Sequence, residues 1–130
     1  MYVKLHRYHW YIKGENFFVL HDYFEQQYLE TGENLDEIAE RIIMIGGRPL
    51  ATMSKYLKET TLEEANADDT EEEIILQLIH DFEKVVMEIR SIGIPLTDEY
   101  QDESTNDLLI GLQRNFEKKL WMLRAYQREN

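Results

Sequence analysis

The stretch FFVLHDYFEQQYLETGENLDEIAERIIMI, residues 17–45, decides the fold. Leu20, Phe24, Tyr28, Leu35, Ile38, Ile42 and Ile45 recur at threes, fours or their sums, the spacing of one face of an α-helix. No proline interrupts the run, and Gly46 follows it as a C-terminal cap. The pattern predicts one long helix from Phe17 to Ile45, with Gly32 as its weak point.

Working outward, Tyr2 to Ile12 reads as a shorter helix ended by Lys13-Gly14, and Leu50 to Leu57 as a small extra one. Asp68-Asp69-Thr70 precedes the next helix, where Thr70 and Glu73 fit a capping box. Ile75, Leu78, Ile79, Phe82, Val86 and Ile89 form its apolar face, and Gly93 with Pro95 should end or kink it. The last helix is expected from Ser104 or Thr105, carrying Leu109, Leu112, Phe116, Leu120 and Leu123. Lys118, Lys119, Arg124 and Arg128 lie near its C-terminal end, where the helix dipole favours cations. No stretch reads as a strand. The expected fold is all-α: an up-and-down four-helix bundle with the short extra helix in the second-to-third connection. Residues 1–130 form one domain on this reading. The first helix is short and starts abruptly at Met1, so residues that precede it are expected to be missing.

Composition narrows the function. The 130 residues are 43% hydrophobic and 31% charged, enough apolar material for a core. Only 6 Gly and 2 Pro are available for turns, and Cys is 0, which removes disulfides, Cys-ligated zinc and thiol chemistry. No apolar run approaches the roughly 20 residues of a membrane span, and no signal-peptide pattern opens the chain, so a cytoplasmic location is expected. The net charge of −12 repels nucleic acid and favours cations as partners.

Four potential metal ligands share one stripe of the long helix. With Glu25 at zero and 100° per residue, His21 falls near about −40°, Asp36 near +20° and Glu40 near +60°. Imidazole with carboxylate suits iron, manganese or zinc. His21 and Glu25 are one turn apart, as are Asp36 and Glu40. The pairs are separated by 11 residues, roughly 16 Å along the axis. A ligand must lie about 2 Å from its metal, so one helix cannot gather all four. Two can: if the helix meets its copy antiparallel across a two-fold axis near Glu30–Thr31, His21 and Glu25 of one chain face the second chain's Asp36 and Glu40. Two equivalent sites then form per dimer. His9, just before the first loop, is a candidate further ligand. The plainer reading of these residues is a solvated acidic face with surface histidines, and spacing alone leaves both open. An intrachain di-iron centre is disfavoured, because none of His6, His9, His21 or His80 has Glu three residues before it.

The segment His9-Trp10-Tyr11-Ile12-Lys13-Gly14, with Phe17-Phe18, Leu20-His21 and Phe24-Glu25, resembles the Dps family of mini-ferritins. So do Asp36-Glu37-Ile38-Ala39-Glu40-Arg41, Gly46-Gly47-Arg48-Pro49 and, in the manner of the Bacillus-type branch, Trp121-Met122-Leu123. The spacing of 12, 4, 11 and 4 residues across His9, His21, Glu25, Asp36 and Glu40 is the specific part. The resemblance implies a hollow shell of twelve four-helix subunits, built from two-fold dimers, that oxidises Fe(II), with hydrogen peroxide or oxygen as oxidant, and stores the ferric mineral. It implies a ferroxidase centre in which His9, His21 and Glu25 come from one subunit and Asp36 and Glu40 from its partner. Iron is then the metal, and zinc or manganese fit the same donors. Glu25 stands where some members carry Asp. Trp10, next to His9, is either a redox-active aromatic or a packing wedge. Trp121 is expected to pack in the last helix and His80 to be structural; His6, three residues before His9, is within reach of the metal region, but the family motif does not require it.

No Lys or Arg occurs from Ile94 to Gln113. By the resemblance, Asp98, Glu103 and Asp107 line pores through which iron enters, while Glu99 and Asp102 read as loop and capping residues. A third acidic run, Glu59 to Glu83, holds ten acids without Lys or Arg and is expected to face solvent. Some Dps proteins bind DNA through a lysine-rich tail; none is seen here, and Lys4, Arg7 and Lys13 are too few to replace it. The competing class is a non-catalytic helical shell or interaction protein on the same fold.

Overall fold

The computed structural model describes residues 1–65 and 70–127. Among them the ordered elements are all helical: α1 (Tyr2–Tyr11), α2 (Phe17–Met44), α3 (Met53–Glu59), α4 (Glu71–Glu88), a π-helical turn (Ile89–Gly93), α5 (Ile94–Glu99) and α6 (Glu103–Gln127). None of these helices is long and apolar enough to cross a membrane. The chain divides into two compact units, Met1–Glu71 and Glu72–Asn130.

In the first unit α1 packs on α2 as a helical hairpin. Leu5 and Tyr8 of α1, Ile12 after it, and Leu20 and Phe24 of α2 are buried. The Tyr8 and Phe24 rings are 5.8 Å apart at an interplanar angle of 53°. The turn between the helices needs Gly14, whose φ of +117° lies where side chains are strained. Arg7 of α1 donates from Nη1 to the Ala65 carbonyl oxygen.

Helix α2 is unbroken through Gly32 and stops one residue before the expected Ile45. Its end is a Schellman turn. The Gly47 N–H donates to the Ile42 carbonyl (2.8 Å) and the Gly46 N–H to the Ile43 carbonyl (3.0 Å). Gly46 supplies the left-handed residue, φ +90°.

The sequence reading of α2's apolar face needs correction along its length. Leu20 and Phe24 are buried, but Leu35, Ile38 and Ile45 are exposed. The helical period marks an apolar face; it does not say which chain covers it. Helix α3 also starts later than expected, at Met53, because Thr52 takes the N-cap and accepts from the Lys55 N–H at 3.4 Å.

In the second unit the apolar face expected for α4 is buried from Ile75 through Ile89. Helix α4 opens at Glu71, directly after Thr70; Asp68 and Asp69 of the expected cap lie outside the described residues. The helical path does not end at Gly93. It passes through the π-helical turn into α5, with Pro95 in the first turn of α5, and the altered bond register of the π-helical turn accommodates the proline's missing N–H.

Helix α6 begins at Glu103, slightly before the expected start, because Asp102 caps it: Oδ1 accepts the Thr105 N–H at 3.0 Å. Leu112, Phe116, Leu120 and Leu123 are buried, and the Phe82 and Phe116 rings are 5.1 Å apart. Two expectations here are overturned. Trp121 is exposed rather than packed. Asp81 of the third acidic run is buried instead of solvated. His80 is exposed, with no hydrogen bond among the described residues.

Candidate metal centre

The candidate ligands start at the α1–α2 hairpin. His9, in the last turn of α1, is buried, and His21, in the second turn of α2, is half-buried. Their rings stack with centroids 3.7 Å apart and 16° between planes. Each ring is tied to the other residue's backbone. His9 Nδ1 lies 2.7 Å from the His21 carbonyl oxygen, and His21 Nδ1 lies 2.7 Å from the His9 carbonyl oxygen. A carbonyl can only accept, so both Nδ1 atoms carry the proton. In the neutral ring the lone pair is then on Nε2, the nitrogen able to bind a metal. Phe17 stacks on His21 at 4.9 Å and completes this wall.

Glu25 follows His21 by one turn and is half-buried. Its Oε1 accepts from the Tyr28 hydroxyl at 3.3 Å. Burial, and then the neighbouring Glu25 charge, push the Tyr28 phenol above its ordinary value, so it stays a donor. His6 lies flat on Tyr28, centroids 3.8 Å apart and planes at 20°. Its Nδ1 is 2.8 Å from the Tyr2 carbonyl oxygen. Trp10 is exposed, 5.5 Å from His6, so it is not a packing wedge within this chain. Periodicity places Tyr28 only on the apolar face of α2; its position three residues after Glu25 is the sequence signal for this contact.

Asp36 and Glu40 are exposed further along α2. They lie roughly 16 Å or more along the axis from Glu25. The structure thus brings His9 and His21 together with Glu25 one turn on, and leaves Asp36 and Glu40 apart. Among the described residues no three His, Asp or Glu side chains of the single chain form a metal-holding group.

The stripe that carries these acids also carries bare apolar residues. Phe18 (83% exposed), Leu29 (58%) and Ile43 (60%) fall within about 40° of Glu25 on the helical wheel. The opposite side of α2 is the buried one. There Tyr23 Oη, Gln27 Oε1 and Asn34 Nδ2 are buried with no hydrogen-bond partner among the described residues. Burial, aided by Glu30, pushes the Tyr23 phenol far up.

The other acidic set sits at the α5–α6 corner. Asp98, Glu103 and Asp107 are all exposed. Asp98 Oδ1 accepts from Asn106 Nδ2 at 3.1 Å, and the same amide group donates to Thr97 Oγ1 at 2.9 Å. The basic residues are dispersed. Lys4 and Lys119 are buried, Lys119 lies over the Phe116 ring at 5.1 Å, and Arg124 pairs with Glu83 at 2.5 Å. Arg128 lies outside the described residues.

Comparison with known proteins places this arrangement. The ferritin-like domain family model matches residues 1–129. General stress protein 20U of Bacillus subtilis (strain 168) is 44% identical over 126 residues, covering 97% of this chain and 86% of that protein. DNA protection during starvation protein 2 of Bacillus anthracis is 43% identical with the same coverages. The crystal structure of a Dps protein from Bacillus brevis superposes with a TM-score of 0.94 at 39% identity, covering 97% of this chain and 84% of that one. Dps from Listeria innocua, in a structure soaked with cobalt, gives 0.93 at 38% identity, covering 97% and 81%. The fold is therefore a ferritin-like four-helix bundle with α3 as the short helix in the second-to-third connection. The chain belongs to the ferritin-like family, in its Dps branch.

Proposed function

We propose that this protein is an iron-storing ferroxidase that oxidises Fe(II) at sites shared between two chains and keeps the ferric product inside a hollow homo-oligomeric shell. One observation carries the reading: His9 and His21 commit their Nδ1 protons to each other's carbonyls, which readies Nε2 on both, with Glu25 one turn from His21. Such outer contacts fix ring orientation and tautomer before a metal arrives.

The rest of the donor set comes from the partner. With α2 antiparallel to its copy, Asp36 and Glu40 of one chain reach His9, His21 and Glu25 of the other. The exposed Phe18, Leu29 and Ile43 on the same stripe supply the cohesion that facing carboxylates lack. Imidazole nitrogen and carboxylate oxygen bind Fe(II) and still hold the harder Fe(III). Two Fe(II) give one electron each to hydrogen peroxide, which takes two protons and leaves as two waters. No one-electron product is released. Subunits meeting at the α5–α6 corner would gather Asp98, Glu103 and Asp107 into an entry path that draws cations inward.

Protection of DNA, for which several relatives are named, follows from removal of Fe(II) and peroxide. The net charge of −12 argues against direct binding to the duplex. The test is to give the assembled protein Fe(II) without oxygen and then add peroxide. Stoichiometric consumption near one peroxide per two irons, with ferric absorbance retained in the protein fraction, is expected. Oxidation no faster than in buffer would overturn the proposal.

A further inference from the structure

A glutamate that serves as a metal ligand has three side-chain torsions to settle before it can bind. The structure shows what settles Glu25. The Tyr28 hydroxyl donates to Oε1, at a distance long for such a bond (3.3 Å), and leaves Oε2 without a partner among the described residues. The Tyr28 ring is itself held. His6 stacks on one side of it at 3.8 Å, and His6 is fixed through its Nδ1 to the Tyr2 carbonyl at 2.8 Å. The His9 ring stands edge-on to Tyr28 at 5.4 Å and 78°. Tyr28 therefore touches one candidate ligand through its hydroxyl and another through its ring.

We infer that Tyr28 is a positioning residue for the metal centre, selecting which oxygen of Glu25 is offered, and that His6 acts as the backstop of its ring rather than as a ligand. The inference rests on the ligand set proposed above. It gives the longer Glu25, where an aspartate would have fewer torsions to fix, a tether one turn along its own helix. Partners of this kind outside the coordination sphere change metal affinity by about tenfold or more when removed.

The experiment uses the assembled full-length protein and Co(II) alone, whose visible absorption reports both affinity and coordination geometry. Tyr28→Phe keeps the ring, its stack on His6 and its contact with His9, and removes only the hydroxyl. Its Co(II) affinity should fall about tenfold, with a shifted visible spectrum. In a Glu25→Ala background the same substitution should cause no further loss, because the hydroxyl acts through that carboxylate. An unchanged affinity and spectrum, or an equal loss in both backgrounds, would overturn the inference. His21→Ala is the control for the underlying site. If it binds Co(II) as the wild type does, the ligand set itself is wrong and the inference goes with it. If it does not bind while Tyr28→Phe is unaffected, only the positioning role fails.

Discussion

His9 and His21 exchange hydrogen bonds across the α1–α2 hairpin, each Nδ1 at 2.7 Å from the other residue's carbonyl oxygen. The pair ties the end of α1 to the start of α2 and sets the tautomer of both rings in one arrangement. On the proposed ligand set His9 then has two tasks, one toward a metal and one toward the orientation of His21.

Replacing His9 should therefore cost more than one ligand. His9→Ala is expected to lower Zn(II) affinity, read by titration calorimetry, well beyond the loss of about tenfold typical of an outer contact. His9→Gln, with an amide able to bond the His21 carbonyl, should recover part of it. Equal affinities for both variants and the wild type would show that His9 lies outside the centre.

Two phenylalanines on different faces of α2 should behave oppositely. Phe24 is fully buried against Tyr8. Phe24→Ala should destabilise the subunit by about 3–5 kcal/mol in thermal or denaturant unfolding. Phe18 is bare and lies on the ligand stripe. Phe18→Asp should leave helical content intact by circular dichroism and weaken assembly in light scattering. Normal assembly of Phe18→Asp would contradict the antiparallel contact through α2.

The corner acids predict a rate effect. Asp98→Asn, Glu103→Gln and Asp107→Asn combined should slow Fe(II) uptake several-fold at low ionic strength, with the difference shrinking as salt is added. The assembled mass should be unchanged. Equal uptake rates at low salt would remove these residues from the entry path.

Tyr23 makes a prediction about alkaline pH. Its hydroxyl is buried without a partner among the described residues, and burial raises its pKa above the unfolded value of about 10. Folding thus favours the neutral phenol. That preference costs no stability below pH about 10, and stability is lost as pH climbs above it because the unfolded chain ionises first. Tyr23→Phe should be neutral or slightly stabilising at pH 7 and should flatten the alkaline decline in Tm. A steeper decline in the variant would contradict the assignment.

Much of this was legible from residue order. The period of α4 named its buried face from Ile75 to Ile89, and the spacing of His21, Glu25, Asp36 and Glu40 already showed that one helix cannot bring these four side chains to one point. What periodicity could not show is who covers a face. Leu35, Ile38 and Ile45 of α2, and Trp121 of α6, read as core and are exposed in the single chain. The histidine exchange was hidden for another reason. It depends on how α1 meets α2 across the Gly14 turn, a tertiary fact with no local signature. Residue order relates His6 only to His9, three residues on in α1, whereas its ring stacks on Tyr28 of the next helix. At the α4–α5 junction, Gly93 and Pro95 signalled a break, and the π-helical turn absorbed it instead.

The claim that each centre draws on two chains can be measured directly by mixing subunits. His21→Ala and Asp36→Ala proteins, each inactive in Fe(II) oxidation, are unfolded together, reassembled and assayed. Half of randomly paired dimers are hybrids, and each hybrid keeps one intact centre of two, so the mixture should recover about a quarter of the wild-type rate. A mixture no more active than its two parents, under conditions where reassembled wild type regains full activity, would contradict the shared site.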